Sequence, residues 1–356
     1  MRHAVIMAGG AGTRLWPLSR QGRPKQVLKL FGGKSLIRES YERVASWLAP
    51  EAICVITNEA HLPMLAKELP EIPPANLFGE PVGRDTVNAV GLSAAIIGQR
   101  DPEATIGVFT ADHIIKPLDR FRGAVETAFA AAEENVGSLV TMGITPSRPD
   151  TNYGYVRRGD RVSDGVYQVK QFAEKPNLEA AMEYVGSGEY YWNSGMFVWR
   201  AAAIMSQIQK HLPEAYGPLC TLGAAWDGED CAEMLGRIYP ELPKISVDYA
   251  VMERADEVLV VEMDCNWIDV GSWPAMESVV VPDGEENVSV CRNVVHLSSR
   301  GNIVVSEDDH LITTIGVEDL VIAHSADATL VCGKYDTVRI KELVARLKDN
   351  YADKYI

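Results

Sequence analysis

Short, almost wholly apolar runs alternate with amphipathic stretches of helical period between residues 1 and 145. The apolar runs predict strands at residues 3–8, 52–57, 104–110 and 138–144. The amphipathic stretches predict helices at residues 35–48, 60–68, 85–99 and 119–134. Apolar strands separated by helices are typical of a parallel sheet covered on both faces. Ligands of such sheets bind beyond the carboxyl ends of the strands, so motifs that directly follow a strand are the first candidates for function.

The pattern changes after residue 150. Strands rich in Tyr, Val and Phe, interrupted by a helix at residues 178–185, are predicted between residues 152 and 199, and a helical stretch then precedes an apolar strand at residues 258–263. After Pro282 the pattern predicts short strands at residues 288–290, 294–297, 303–305, 311–315, 320–323 and 329–332, and a closing helix at residues 337–351. The change predicts a large α/β domain over residues 1–281 and a small β-rich domain over residues 282–356. The short strands are compatible with solenoid-like coils, but no strict period identifies them as a repeat.

The composition excludes several classes of protein. A net charge of −15 argues against binding of nucleic acid through a basic surface. No run of 18 apolar residues occurs, so no membrane span is expected, and the apolar run at the N-terminus is too short for a signal peptide. The six cysteines lie far apart without a CxxC pair, which predicts neither a zinc site nor a disulfide framework. These features together predict a cytoplasmic protein.

The positive charges are concentrated at one end of the chain. Residues 1–38 include eight Lys or Arg side chains and no Asp or Glu, whereas the remainder carries 26 cations and 49 acids. A purely cationic segment of an acidic protein is suited to attract a small polyanion. The charge pattern alone leaves a chance cluster on a solvated surface equally open.

A glycine-rich loop lies inside this cationic segment, directly after the first predicted strand. It reads Gly9-Gly10-Ala11-Gly12-Thr13-Arg14. Glycines allow several backbone N–H groups to approach phosphate oxygens closely. Arg14 can bind such oxygens bidentately, and Lys25 can supply a second positive charge. The loop is therefore a candidate phosphate site.

Two familiar phosphate-binding motifs are absent from this region. The dinucleotide motif G-x-G-x-x-G requires a glycine where this chain has Leu15, so a nicotinamide-dependent dehydrogenase is not supported. A P-loop that ends in Gly33-Lys34-Ser35 would require a glycine where this chain has Leu28. The loop stays a candidate phosphate site, but it matches neither of these two motifs.

Two aspartates are candidate metal ligands. Asp112 follows the predicted strand at residues 104–110, and Asp269 follows the strand at residues 258–263. Mg²⁺ is usually held by one or two carboxylates together with substrate phosphates and water. A loop or helix-capping aspartate is the commoner alternative for each residue, and the sequence does not show that the two side chains meet.

These features together resemble the bacterial mannose-1-phosphate guanylyltransferases, a family of sugar-nucleotide pyrophosphorylases. The motifs that carry the resemblance occur in the family's order and are Gly9–Arg20 (GGAGTRLWPLSR), Pro24-Lys25-Gln26, Ala111-Asp112-His113, Phe172–Pro176 (FAEKP), Asn193–Phe197 (NSGMF) and Trp267–Trp273 (WIDVGSW). The glycine-rich loop with Arg and Pro-Lys is shared by all sugar-nucleotide pyrophosphorylases. The continuation Leu15–Arg20 is more particular to the relatives that use mannose and GTP.

The resemblance implies a Rossmann-like nucleotide-diphosphosugar transferase fold with a mixed sheet. The small C-terminal β domain is a left-handed β-helix in many relatives, where it forms dimer contacts, so a homodimer is expected. The implied reaction transfers GMP from GTP to α-D-mannose 1-phosphate and gives GDP-mannose and pyrophosphate, with Mg²⁺ as cofactor. The chain lacks the long C-terminal extension that carries a phosphomannose isomerase domain in some relatives, so that second activity is not expected.

The resemblance also implies roles for individual residues. Those expected to hold the triphosphate are Gly9, Gly10, Gly12, Thr13, Arg14 and Lys25, and those expected to line the nucleotide pocket are Glu80, Pro81, Arg84, Asp85 and Thr86. Those expected to bind mannose 1-phosphate are Tyr153, Gly154, Tyr155, Glu174, Lys175 and Asn193, with Lys175 at the phosphate. Asp112 and Asp269 would hold Mg²⁺. Asp85 and Asn152 depart from the residues that are usual in the family, Asn and Gly respectively.

Two alternatives stay open from the sequence. The first is an enzyme of the same class for another nucleotide or sugar 1-phosphate, because motifs do not display the small pocket details that discriminate between them. The second is a catalytically silent, sugar-nucleotide-binding regulatory subunit. Such a subunit would be expected to have lost its charged residues, whereas Arg14, Lys25, Asp112, Lys175 and Asp269 are all present.

Overall fold

The computed structural model describes residues 1–10 and 12–356; Ala11, in the glycine-rich loop, lies outside the described residues. The strands before residue 280 are β1 (Arg2–Met7), β2 (Ile53–Asn58), β3 (Leu77–Glu80), β4 (Thr105–Thr110), β5 (His113–Lys116), β6 (Leu139–Ile144), β7 (Tyr155–Ser163), β8 (Val166–Ala173), β9 (Tyr190–Arg200), β10 (Val258–Glu262) and β11 (Asn266–Asp269). The helices of this region are α1 (Leu36–Ala45), α2 (Leu62–Glu68), α3 (Thr86–Arg100), α4 (Leu118–Glu134), α5 (Leu178–Ser187), α6 (Ala201–His211), α7 (Pro213–Ala225) and α8 (Cys231–Ile238).

The main sheet is mixed, with the strand order β3-β2-β1-β4-β9-β6-β10-β8-β7. Strands β1 to β4 pair in parallel, as the alternation of strands and helices predicts. Strand β9 lies antiparallel between β4 and β6, so the parallel pairing indicated by the pattern does not extend across the whole sheet, and the mixed sheet implied by the resemblance is confirmed. An apolar run shows that a strand is buried but not in which direction it enters the sheet.

Helices cover both faces of this sheet, because its inner strands β1, β2, β4 and β6 are buried on both sides. One core cluster packs α1 and α4 against the sheet, and a second packs α3, α6 and α7 against the opposite face. The eight elements predicted between residues 1 and 145 are all present, with bounds that differ by at most three positions. The pattern missed β3 and also missed β5 and β11, which pair antiparallel outside the main sheet.

The C-terminal region consists of short strands followed by a helix. Its elements are β12 (Val288–Val290), β13 (Asn293–Leu297), β14 (Ile303–Ser306), β15 (Leu311–Ile315), β16 (Leu320–Ser325), β17 (Ala328–Gly333) and α9 (Ile340–Tyr351). Strands β12, β14 and β16 pair in parallel, as do β13 and β15, and β17 adds antiparallel to β16. The parallel pairs stack strands from successive turns of the chain, which is the arrangement of a coil rather than of hairpins.

The C-terminal strands share a hydrophobic core with a distant part of the chain. Buried apolar residues of β12, β14, β16 and β17 pack with Leu15, Trp16 and Leu18, which follow the glycine-rich loop, and with Trp273. The C-terminal region therefore supports the segment that continues from the loop. None of the helices in residues 1–10 and 12–356 is both long and apolar enough to cross a membrane.

Candidate active site

The glycine-rich loop begins where β1 ends, at the carboxyl edge of the sheet. Gly10 and Gly12 have positive φ values of +85° and +64°. A Cβ atom on Gly12 would lie 2.5 Å from the Cβ of Lys25, so the loop and Lys25 can approach this closely only with glycine at residue 12. The buried side chain of Gln26 donates to the carbonyl oxygens of Gly9 (2.5 Å) and Gly10 (3.3 Å) and so fixes the loop.

The two aspartates that the sequence could not connect lie together. Asp112 follows β4 directly, and the pairing of β11 with β5 places Asp269 opposite His113. Candidate ligand atoms of Asp112, His113 and Asp269 all lie within 4.8 Å of one another. Lys25 Nζ forms an ion pair with the Asp112 carboxylate. The site therefore combines a pair of carboxylates with one buried ammonium group.

Lys25 and Asp112 stabilise each other in their charged forms. Burial alone would lower the pKa of Lys25, but the adjacent carboxylates of Asp112 and Asp269 outweigh it and raise that pKa. Burial alone would raise the pKa of Asp112, but the positive charge of Lys25 outweighs it and lowers that pKa. Both groups are consequently charged at neutral pH.

His113 lies beside the carboxylates, with Nε2 3.8 Å from Asp112 Oδ1, but its hydrogen bonds disfavour it as a nitrogen ligand. The Trp267 indole N–H donates to His113 Nδ1 (3.0 Å), and Arg43 donates to the His113 carbonyl oxygen (2.9 Å). Burial lowers the pKa of His113, which favours the neutral ring. Because Nδ1 accepts a hydrogen bond, the proton of the neutral ring is on Nε2, which cannot then coordinate a metal. The remaining donors are carboxylate oxygens, the ligands that hard divalent cations such as Mg²⁺ prefer.

A cavity of about 400 Å³ lies between the glycine-rich loop and the N-terminus of α3. Its lining includes Gly9, Gly10, Glu80, Asp85, Thr86 and Asp112 from the predicted site, and Lys244, which the sequence analysis missed. Asp85 ends the preceding loop with a φ of +66° and caps α3 by accepting from the Thr86 N–H (2.8 Å). The positive end of the α3 dipole stabilises the Asp85 carboxylate that caps it. Two residues of the predicted nucleotide site, Thr13 and Arg84, are not among the described residues that line this cavity.

Glu80 is the buried acid of this cavity. Its carboxylate accepts a hydrogen bond from the Tyr239 hydroxyl (2.5 Å). Burial raises the pKa of Glu80 to about 7, although the hydrogen bond from Tyr239 acts in the opposite direction. A carboxyl that is partly protonated at neutral pH can both donate and accept hydrogen bonds, which suits it to contact a nucleobase or a ribose.

Three of the residues predicted to bind the sugar phosphate lie together. The backbone N–H of Asn193 donates to the Gly154 carbonyl (2.8 Å). A Cβ atom on Gly154 would collide with Glu174 Oε2 and lie 3.3 Å from the Asn193 Cβ. Lys175 Nζ donates to Glu174 Oε1 (2.7 Å), so its charge is held at the edge of this cluster.

Asp248 completes this cluster and was not predicted. It opens a π-helical turn (Asp248–Met252) and accepts a hydrogen bond from Asn193 Nδ2 (2.9 Å), while Thr141 donates to Asn193 Oδ1 (3.0 Å). Burial and the nearby Glu174 raise the pKa of Asp248 to about 7. The Asn193 amide is therefore held in one orientation from both sides.

A second cavity, of about 500 Å³, lies on the other side of Asp269. Arg14, Tyr153 and Asp269 line it, together with Arg148 and Lys334. Tyr153 makes edge contacts with Trp192 and with Trp267. Asp112 therefore lines the first cavity and Asp269 lines the second with Arg14, so the neighbouring carboxylates lie where the two cavities approach each other.

Several site residues left little signal in the sequence. Gln26 is part of the Pro24-Lys25-Gln26 motif, but its contact is with backbone carbonyls and no spacing rule indicates it. Lys244 and Asp248 lie in a stretch without a regular pattern, where charged residues are commonly exposed. Asp248 becomes informative only once the fold places Asn193 beside it.

Comparison with known proteins agrees with this geometry. A family model described as nucleotidyl transferase matches residues 3–286, and a model described as MannoseP isomerase/GMP-like beta-helix domain matches residues 292–347. Mannose-1-phosphate guanylyltransferases from Escherichia coli and Klebsiella pneumoniae are each 41% identical to this chain over 357 residues, which is 99% of this chain and 75% of each relative. A solved structure from Thermus thermophilus, described as a mannose-1-phosphate geranyltransferase, is similar with a TM-score of 0.87 and 38% identity over 98% of this chain and 99% of that one.

Proposed function

This chain belongs to the mannose-1-phosphate guanylyltransferases of the nucleotidyl transferase family, and we propose that it transfers GMP from GTP to α-D-mannose 1-phosphate, giving GDP-mannose and pyrophosphate. The observation that carries the proposal is the gathering of Lys25, Asp112 and Asp269 between two cavities, one at a helix N-terminus and one beside Arg14. A reaction between two phosphate-bearing substrates requires this kind of cation and carboxylate arrangement.

The first cavity is assigned to the nucleotide. Gly9 and Gly10 present backbone to the phosphates, while Asp85, Thr86 and Glu80 surround the nucleoside. Thr13 follows Gly12 in the glycine-rich loop, and Arg84 precedes Asp85 at the start of α3, but neither residue lines this cavity. We propose that Thr13 shapes the loop and that Arg84 shapes the entrance to α3. Lys244 adds a positive charge at the same cavity.

Mannose 1-phosphate is assigned to the cluster around Gly154, Glu174 and Asn193, with Tyr153 on its side towards Asp269. Carboxylate and amide groups that are fixed by other hydrogen bonds are suited to recognise sugar hydroxyls, because an incorrect hydroxyl leaves one of them unpaired. Lys175 would reach the phosphate after leaving Glu174. The Lys175 side chain is half-exposed, so its rearrangement costs little.

Enzymes of this family generally use a divalent metal, and the oxygen donors of Asp112 and Asp269 fit Mg²⁺. We propose that these two carboxylates hold it. When bound, the metal would neutralise charge on the reacting phosphates.

The remaining chemistry is assigned to residues of this chain. An oxygen of mannose 1-phosphate attacks the α-phosphorus of GTP in line, and the bond to the departing pyrophosphate breaks. The attacking oxygen is already anionic, so no general base or covalent intermediate is needed. Lys25 and Arg14 stabilise the negative charge that shifts to the pyrophosphate, and the fixed loop keeps the phosphorus in position.

A substrate matrix tests the proposal. The protein is mixed with Mg²⁺, each of the four nucleoside triphosphates and several sugar 1-phosphates, and release of pyrophosphate is measured. The proposal expects the highest kcat/KM for GTP with mannose 1-phosphate. A higher value for another pair would assign a different sugar nucleotide, and no release with any pair would indicate a non-catalytic relative.

The homodimer, the cytoplasmic location and the domain boundary after residue 281 stay predictions of the sequence analysis.

A further inference from the structure

The motif Leu15–Arg20 (LWPLSR), which the chain shares with the mannose-1-phosphate guanylyltransferases, has no part in the proposed chemistry. Residues 15–20 follow Arg14 directly, but in the described part of the chain they line neither of the two cavities. Leu15, Trp16 and Leu18 are instead buried in the core that the C-terminal strands share. A segment that is adjacent to the phosphate loop and faces away from the ligand cavities needs a different explanation.

On its outer side, this segment makes specific polar contacts with the C-terminal region. The Trp16 indole N–H donates to the Tyr355 carbonyl oxygen (2.7 Å). Arg20 Nη2 donates to Asp327 Oδ1 (2.6 Å) and to Ser325 Oγ (3.2 Å). The Arg20 guanidinium also lies over the Trp16 ring at 5.6 Å, so the two side chains form one contact surface.

On its inner side, the same segment holds the phosphate loop. Ser19 Oγ donates to the Gly12 carbonyl (2.7 Å), and the Leu15 N–H donates to the same oxygen (2.9 Å). The carbonyl oxygen of Trp16 accepts from the Trp273 indole (3.2 Å), in the segment that continues from Asp269. Displacement of residues 15–20 would therefore shift both Gly12 and the flank of the second aspartate.

We infer that residues 15–20 form a coupling segment through which the C-terminal region positions Gly12 and Arg14 for the phosphates of GTP. Trp16, Arg20 and Asp327 are positioning residues that touch no substrate. The inference rests on the proposed function for the identity of the nucleotide. Its physical basis is preorganisation, because a loop that is already held in its binding conformation loses less entropy when the ligand binds.

The chain offers a matched control for the test. Asp327→Asn removes the charge that Arg20 contacts, and Trp16→Phe removes the indole donor while it keeps the aromatic packing. The Arg100–Asp227 pair has the same Nη2–Oδ1 distance of 2.6 Å as Arg20–Asp327, with similar side-chain exposure (28% and 63% against 15% and 53%). Asp227→Asn therefore removes the charge from a comparable Arg–Asp pair, which has one further Nε–Oδ2 hydrogen bond (3.0 Å) and does not involve the coupling segment.

The measurements are steady-state kinetics, the Kd for GTP by calorimetry and thermal melting of the full chain. Asp327→Asn and Trp16→Phe should each raise the KM and Kd for GTP about 3- to 5-fold, because the first removes the charge from the hydrogen bond that Arg20 donates and the second removes the indole donor of the other hydrogen bond. The KM for mannose 1-phosphate should not change, and Asp327→Glu should restore GTP binding. Asp227→Asn should leave all of these values as in the wild type.

Two outcomes would overturn the inference. One is an unchanged Kd for GTP in both variants. The other is an equal rise in the KM of both substrates together with a fall in melting temperature, which would indicate general destabilisation. Either result can occur while the wild type makes GDP-mannose. Conversely, the GTP Kd reports the coupling even if the sugar acceptor proves to be a different one.

Discussion

Replacement of Lys25 by Gln should destabilise the metal-free protein and make its stability depend more strongly on Mg²⁺. The substitution removes the ammonium group that pairs with Asp112 and leaves two carboxylates whose oxygens lie within 4.8 Å of each other. At an effective dielectric constant of about 20, two unit charges at that distance repel by about 3 kcal/mol. In the wild type the positive charge of Lys25 offsets this repulsion, and in the variant it does not. In a chain of this size, a decrease of about 3 kcal/mol in the free energy of unfolding corresponds to a fall in melting temperature of roughly 5 °C.

The assay compares melting temperatures of wild type and Lys25→Gln with and without Mg²⁺. Because the cation offsets the repulsion that Lys25 normally relieves, Mg²⁺ should raise the melting temperature of the variant by more than that of the wild type. Turnover should nevertheless stay about 100-fold lower or more, since the charge that stabilises the departing pyrophosphate is lost. Lys210→Gln removes a surface ion pair with Asp256 and should change neither property.

Two results would refute this reasoning. If Lys25→Gln melts like the wild type without metal, the two carboxylates do not repel each other appreciably. If Mg²⁺ shifts both proteins equally, the carboxylates and Lys25 do not share one electrostatic site.

Three further predictions follow from other parts of the site. Asp112→Asn should lower kcat about 100-fold or more at every Mg²⁺ concentration, and near-normal turnover would contradict its assignment as a ligand. Gly154→Ala should displace Glu174 and raise the KM for mannose 1-phosphate about 10-fold without changing that for GTP; equal KM values would place the sugar elsewhere. Glu80 has a folded pKa of about 7 against an ordinary 4.5, so its contribution to stability is complete below pH 4.5 and is lost as the pH rises through 7, by up to ~3 kcal/mol. Glu80→Gln lacks this loss. In denaturant unfolding, the free energy of unfolding of Glu80→Gln minus that of the wild type should therefore be larger at pH 8 than at pH 5.5. A difference that is the same at both pH values would argue against the raised pKa of Glu80.

The α/β alternation between residues 1 and 145 could be predicted because each element has a clear local pattern. The predicted strand at residues 104–110 ends as β4 does, and this places Asp112 at the carboxyl edge of the sheet without any tertiary information. The meeting of Asp112 and Asp269 could not be predicted in the same way. It depends on the pairing of β5 with β11, two short strands that are far apart in the chain and carry no distinctive alternation.

The C-terminal coils were also beyond the sequence pattern, for a different reason. Val288 pairs with Ile303, and Ile303 pairs in turn with Val321, so the second coil is longer than the first. Coils of unequal length leave no fixed period, so the strands are visible but their parallel stacking is not. Similarly, Asp248 is a site candidate only because the fold places it against Asn193.

The most direct test of the central claim is a ³¹P NMR time course of the wild-type protein with GTP, mannose 1-phosphate and Mg²⁺. If this chain transfers GMP to mannose 1-phosphate, the resonances of GDP-mannose and pyrophosphate should appear together in equal amounts while both substrates disappear. Formation of GDP and inorganic phosphate, with mannose 1-phosphate left unchanged, would contradict it.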